Sequence, residues 1–206
     1  MSALPWRSRG TGTHPVLEHE SADMKNTTDT PNPKPRHRLA LVVGSGGIRS
    51  AAAIGVVDAL QSQGLRPDLI VGCSSGALFG AALALGLSPD HVLRMASGFW
   101  TPELTEQRRW KAYLQLLMPK LAGFDANFSL RDAGRIARAV EGAFAERRIE
   151  NLATALRIAA TDAASGTPVL LDRGRLSTAV MASMAVPFMF PSVDFEGRRL
   201  VDGVMS

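Results

Sequence analysis

The chain has 206 residues, 46% of them hydrophobic and 20% charged, with a formal net charge of +4. Those proportions exclude a disordered chain and suit one medium domain able to bury a core without staples. A single cysteine, Cys73, excludes a disulfide framework and a cysteine-rich zinc site. No apolar run reaches the roughly eighteen residues of a membrane-crossing helix, and the positive charge admits an anionic partner, nucleic acid or lipid, without choosing between them.

In chain order, residues 1 to about 38 read as a disordered tail, because the stretch from Thr27 to Arg38 is proline-rich, polar and without period. Met1 to Glu20 has no apolar segment behind its charges, so no Sec-type signal peptide is visible, and Met24 offers an alternative start. The domain is expected over residues 39–206. Leu39–Val43 is a continuous apolar run that enters Gly44-Ser45-Gly46-Gly47, which predicts a buried parallel strand and a tight turn. Ser50 to Gln63 carries Ala52, Ala53, Val56, Val57 and Leu60 at helical spacing, and Gly64 stops it. Asp68–Val71 predicts a second strand, Gly72–Gly76 a turn, and Ser75 to Leu85 a helix of small residues. Strand, glycine loop, helix, strand, turn and helix in that order define an α/β fold on a largely parallel sheet.

Ser88-Pro89-Asp90 starts a further helix, and helical pattern continues less regularly to about Gly142. Within it, Trp100 to Leu121 interleaves aromatic and apolar residues with Arg and Lys. That suits either a lipid-facing lid or, as the simpler reading, amphipathic helices packed on the sheet. Arg131, Arg135, Arg138, Arg147 and Arg148 suggest a basic face, ordinarily a solvated one. Leu156–Ala160 and Val169–Leu171 return to strand, Leu176 to Met184 is a short helix, and Ser192–Phe195 with Arg199–Val201 form a hairpin about Glu196-Gly197-Arg198.

Two glycine-rich turns follow predicted strands, and they are where chemistry is expected. Gly72-Cys73-Ser74-Ser75-Gly76 matches G-x-S-x-G in its required strand–turn–helix setting. Such a turn strains the serine backbone and lifts its hydroxyl to the rim of the sheet. Ser75 lacks glycines at the right offsets, so Ser74 is the candidate nucleophile. Three of the four histidines (His14, His19, His37) lie in the tail and His91 comes only shortly after Ser74, so the order serine, acid, histidine of an α/β-hydrolase triad fails. A carboxylate can serve as the base instead. Gly44-Ser45-Gly46-Gly47-Ile48-Arg49 lacks the third glycine of a dinucleotide fingerprint and the Gly-Lys-Ser/Thr of a phosphate loop. It remains readable as an oxyanion hole built from the amides of Gly46, Gly47 and Ile48. Both turns leave the carboxyl edge of adjacent parallel strands, where α/β sites form.

These two turns, together with Leu200-Val201-Asp202-Gly203, Ile158–Asp162 with Gly166, and the run Ala182–Pro191, resemble the bacterial patatin-like phospholipases over about residues 39–205. The resemblance implies a three-layer α/β/α sandwich with a central, mostly parallel sheet. It also implies a Ser-Asp dyad with Ser74 as nucleophile and Asp202 as base, an oxyanion hole at Gly46, Gly47 and Ile48, and Arg49 supporting the loop. Gly44, Gly72, Gly76 and Gly203 are its motif glycines. The reaction expected is hydrolysis of a phospholipid or other acyl ester, with no metal or cofactor and with peripheral contact to a membrane surface. The location expected is cytoplasmic or membrane-peripheral. Ser45 and Ser50 stand where the family usually has glycine, Val204 replaces a second small residue, and the sequence stops at Ser206. A truncated or catalytically impaired lipid- or partner-binding relative is therefore the alternative. Asp162 reads as structural, and Asp172 and Asp194 as solvated turn residues. Nothing resembles a helix-turn-helix or a base-stacking motif, so no nucleic-acid partner is expected.

Overall fold

A computed structural model of the chain describes residues 38–99 and 133–206. The tail and the Trp100–Leu121 stretch lie outside the described residues. The expected elements are present with small shifts at their ends. Strands β1 (Ala40–Val43), β2 (Leu69–Cys73), β3 (Ala155–Asp162), β4 (Pro168–Leu171), β5 (Val193–Phe195) and β6 (Arg198–Asp202) form one sheet. Helices α1 (Ala52–Ser62), α2 (Ser75–Ala84), α3 (Pro89–Phe99), α4 (Gly134–Phe144) and α5 (Leu176–Ser183) accompany it.

The helix expected over Ser50–Gln63 is α1, and a short 3-10 turn, Gly47–Ala51, runs into its start. The turn's tighter pitch follows from the Arg49 amide donating to the Gly46 carbonyl three residues back. Within α1, Ala53, Ile54 and Val57 are buried, the spacing of one apolar face. α2 is different: every one of its residues is buried, as befits a helix that is apolar all round. Gly80 brings it down onto the sheet, where a Cβ would sit 3.1 Å from the Ile70 side chain.

The sheet is mixed. β1, β2 and β3 run parallel, in register Val43↔Gly72 and Gly72↔Ile158. β4 and β6 pair antiparallel to β3, and β5 antiparallel to β6. The parallel reading therefore holds for the βαβαβ first half and gives way to hairpins, which need only the short turns that Asp162–Thr167 and Glu196-Gly197 provide. Successive right-handed crossovers from β1 to β2 and from β2 to β3 put α1 and α2 on one face of the sheet. α5 packs beside α2 on that face, and a small apolar gap lined by Leu78, Phe79, Val92, Met95 and Phe144 shows α3 and α4 closing over α2. The core lies here, with Val43, Ile70, Leu156, Ile158 and Leu200 buried beneath the helices. The opposite face carries Val42, 73% exposed, and Leu170, 55% exposed, so the described helices cover one side of the sheet.

One topological detail brings the two halves of the site together. Ile158 pairs with both Gly72 and Leu171, and Ala160 pairs with both Val169 and Asp202. A strand has two edges, so β4 occupies one edge of β3 while β2 and β6 share the other, end to end. β2 finishes at Cys73↔Ala159, and β6 takes over at Asp202↔Ala160. Residues 129 apart in sequence are thus placed at consecutive positions along one strand edge.

Candidate active site

β2 ends at Cys73 and α2 begins at Ser75, so Ser74 alone makes the corner. Its backbone takes φ 56 and ψ −125, a conformation that costs a residue with a Cβ on the order of 1–3 kcal/mol. The flanking glycines are required by space. A Cβ on Gly72 would lie 2.6 Å from the Ala77 Cα, and one on Gly76 would lie 2.0 Å from the Val43 carbonyl oxygen. The corner is then pinned from α5: the Ser74 amide donates to Ser183 Oγ at 2.8 Å, and Ser183 donates onward to the Ala159 carbonyl at 2.6 Å. Ser183 is fully buried. Ser183 belongs to the Ala182–Pro191 run, and with Ser177 and Thr178 on the same helix no local signal singles it out.

Asp202 is held just as firmly. Its amide donates to the Ala185 carbonyl at 3.0 Å, and its carbonyl accepts from Thr161 Oγ1 at 3.0 Å. The side chain is completely buried. Oδ1 accepts from the Val204 amide at 3.0 Å and, more weakly, from the Cys73 thiol at a sulfur–oxygen distance of 3.9 Å. Oδ2 is buried with no hydrogen-bond partner. Burial raises the carboxyl above its ordinary pKa, and the Ser74 hydroxyl, the Val204 amide and the Cys73 thiol pull it back in part. Ser74 thus lies close enough to Asp202 to lower its pKa. The Cys73 thiol is pushed up to about 11, by burial first and then by the Asp202 charge and hydrogen bond. Gly203 is another glycine that space demands, since a Cβ there would lie 2.6 Å from the Ala159 carbonyl oxygen and 3.0 Å from Cys73 Sγ. Val204 leaves its side chain 49% exposed while its amide serves Asp202, so a larger residue is tolerated at that position.

The glycine loop lies beside the corner. Gly47 has φ 59, a left-handed conformation that glycine adopts without strain. Gly47 and Ile48 open the 3-10 turn, so their amides have no acceptor within it, and both residues are exposed. Gly46 departs from expectation. Its amide donates to Ser75 Oγ at 3.3 Å, so it is already engaged within the protein. Arg49 acts on the loop through its backbone. Its side chain is exposed and makes no hydrogen bond or ion pair with another described residue; its backbone amide, by bonding the Gly46 carbonyl, is what closes the loop. At Gly44 a Cβ would meet nothing within 4 Å, and nothing in the structure explains a glycine there.

The other candidates lie away from this cluster. His91 is exposed on α3, its amide capped by Ser88 Oγ at 3.3 Å. Asp162 closes the β3–β4 turn by accepting the Ala164 and Ser165 amides at 2.9 and 3.0 Å. Asp172 and Asp194 are exposed beside Arg173 and Arg199. Arg135, Arg138, Arg147 and Arg148 are exposed, and Arg131 lies outside the described residues. Among the described residues no group of three His, Cys, Asp or Glu side chains could hold a metal ion, and no helix is long and apolar enough to cross a membrane.

Fold and site together define an α/β protein in which a strained serine corner, a buried aspartate and a glycine loop meet at the end of three strands. The chain belongs to the patatin-like phospholipase family, whose sequence pattern matches residues 41–206. It is 33% identical over 166 residues to an uncharacterized NTE family protein of Mycobacterium tuberculosis (strain ATCC 25618 / H37Rv), covering 81% of this chain and 42% of that protein. It is 30% identical over 167 residues to patatin-like phospholipase domain-containing protein 7 of Rattus norvegicus, covering 80% of this chain and 12% of that protein. The crystal structure of VipD from Legionella pneumophila shares the fold, with a TM-score of 0.53 and 12% identity over 82% of this chain and 46% of that one. The chain thus spans less than half the length of each of these relatives.

Proposed function

We propose that the chain hydrolyses lipid acyl esters through a Ser74–Asp202 dyad. Asp202 Oδ2 accepts the Ser74 proton as the hydroxyl oxygen bonds to the ester carbonyl carbon. The amides of Gly47 and Ile48 stabilise the resulting oxyanion, and the alcohol leaves with the proton that Asp202 returns. Water then attacks the acyl-enzyme by the same route in reverse and frees the acid. A carboxylate whose pKa is raised by burial is the better base, because its proton affinity moves toward the operating pH. Family membership supports a lipid substrate, and we take it to be a phospholipid or related acyl ester met by peripheral contact with a lipid surface.

The observation that carries this reading is the shared edge of β3, where the ends of β2 and β6 meet. The unpartnered Oδ2 supports it too, since a buried carboxylate oxygen without a partner is costly unless something is meant to donate to it. The test is turnover of a p-nitrophenyl short-chain ester together with labelling by a fluorophosphonate. Activity and labelling lost in Ser74→Ala, and activity lost in Asp202→Asn, with folding retained in both, are expected. A folded wild-type protein that neither turns over ester nor takes the label would overturn the reading in favour of a non-catalytic lipid- or partner-binding relative.

A further inference from the structure

The two serines that sequence reasoning set aside, Ser50 as a departure from the family's glycine and Ser75 as the wrong serine of the pair, touch each other beneath the loop. Both are buried, with exposures of 8% and 3%. Ser50 Oγ donates to the Gly44 carbonyl at 2.9 Å and lies 2.9 Å from Ser75 Oγ. Ser75 Oγ in turn accepts the Gly46 amide at 3.3 Å. A serine hydroxyl has one proton to give. Ser50 spends its proton on Gly44, so Ser75 must be the donor between the two hydroxyls. The direction of every bond is then fixed: Gly46 N–H to Ser75, Ser75 O–H to Ser50, Ser50 O–H to Gly44. The chain of bonds starts and ends on the glycine loop and passes through the residue next to Ser74.

We infer that Ser50 and Ser75 form a clasp that positions the oxyanion loop against the nucleophile corner. The clasp uses the Gly46 amide for structure and, by turning it inward, leaves the Gly47 and Ile48 amides as the outward donors. Both serines are positioning residues; neither touches the reacting atoms. Ser50 is thereby explained as a working replacement for glycine. A Cβ on Gly46 would approach Ser50 Oγ to 3.2 Å, so glycine at 46 and serine at 50 fit each other. The adjacent close approach of Gly76 to Val43 and Gly44 seats the loop on α2 by packing, and the clasp adds the direction.

This inference rests on the proposed hydrolysis for its kinetic readout and has a second readout that does not. With Ser50→Ala, Ser75→Ala and the double variant, kcat for a p-nitrophenyl ester is expected to fall about tenfold to a hundredfold, less than the loss of an oxyanion donor itself, with KM within about twofold. The double variant should fall no further than the worse single one, because each cuts the same chain. Independently of turnover, the Gly46 amide proton should exchange slowly in the wild type and at least about tenfold faster in Ser75→Ala. Unchanged kcat in both single variants, multiplicative losses, or a Gly46 amide that exchanges fast in the wild type would each overturn the clasp while leaving the hydrolase reading intact. A wild type without turnover or labelling would sink the hydrolase reading and the positioning role together. Variants at both positions that fail to fold would mark the pair as a folding requirement and overturn the proposal as well.

Discussion

Asp202→Asn is expected to cut turnover severely and to make the protein more stable at neutral pH. Asn keeps the Oδ1 acceptor for the Val204 amide and replaces the unpartnered, charge-bearing Oδ2 with a neutral N–H₂. The loss of the base should lower kcat by about 10²–10⁴. The gain in stability comes from removing a buried, unsatisfied acceptor, a defect worth on the order of 1–3 kcal/mol. For a domain of this size that is roughly 2–4 °C in Tm per kcal/mol. The gain should also depend on pH in a definite sense. Burial raises the Asp202 pKa in the folded state, so the folded protein holds this proton more tightly than the unfolded chain. The stability contributed by the neutral acid is present below the ordinary carboxylate range and lost as pH rises through the raised value. The advantage of Asn over Asp should accordingly be small near pH 4 and grow toward pH 8. Comparing the two proteins by urea unfolding across that range isolates Asp202 from Glu141, Glu150 and Asp162, whose pKa values shift the opposite way in both. Asn at 202 that destabilises the fold at pH 8, or that leaves ester turnover intact, would refute the argument.

Ser74→Gly should eliminate fluorophosphonate labelling while stabilising the fold by about 1 kcal/mol more than Ser74→Ala does, because only glycine relieves φ 56; thermal melts of the two variants decide it. Gly76→Ala should fail to fold or lose several kcal/mol, about 3 or more, since its methyl would meet backbone oxygens of Val43 and Gly44 that have no room to retreat; circular dichroism and expression of soluble protein check this. The Cys73 thiol, pushed up to about 11, should resist iodoacetamide at pH 8 in the native state and react at least about tenfold faster in urea, because only the thiolate is nucleophilic; mass spectrometry against time measures it.

The sequence alone determined where most strands and helices fall, because the short strand-like runs at 39–43, 68–71 and 156–160 and the small-residue helix after Ser74 are local patterns with local causes. It also determined the candidate nucleophile, since a glycine on each side of a strand-to-helix serine is a constraint that acts within five residues. Asp202 was readable only through resemblance, and its meeting with Ser74 was decided by strand pairing: β2 and β6 must share one edge of β3, which no spacing along the chain reveals. The turn from parallel to antiparallel in the second half was likewise set by which edges remained open. The sequence did not reveal the hydrogen bond that engages the Gly46 amide, and it gave Ser50, Ser75 and Ser183 no role, for one physical reason. A short polar side chain has a single bond to give, and which partner it finds depends on segments brought alongside by the fold.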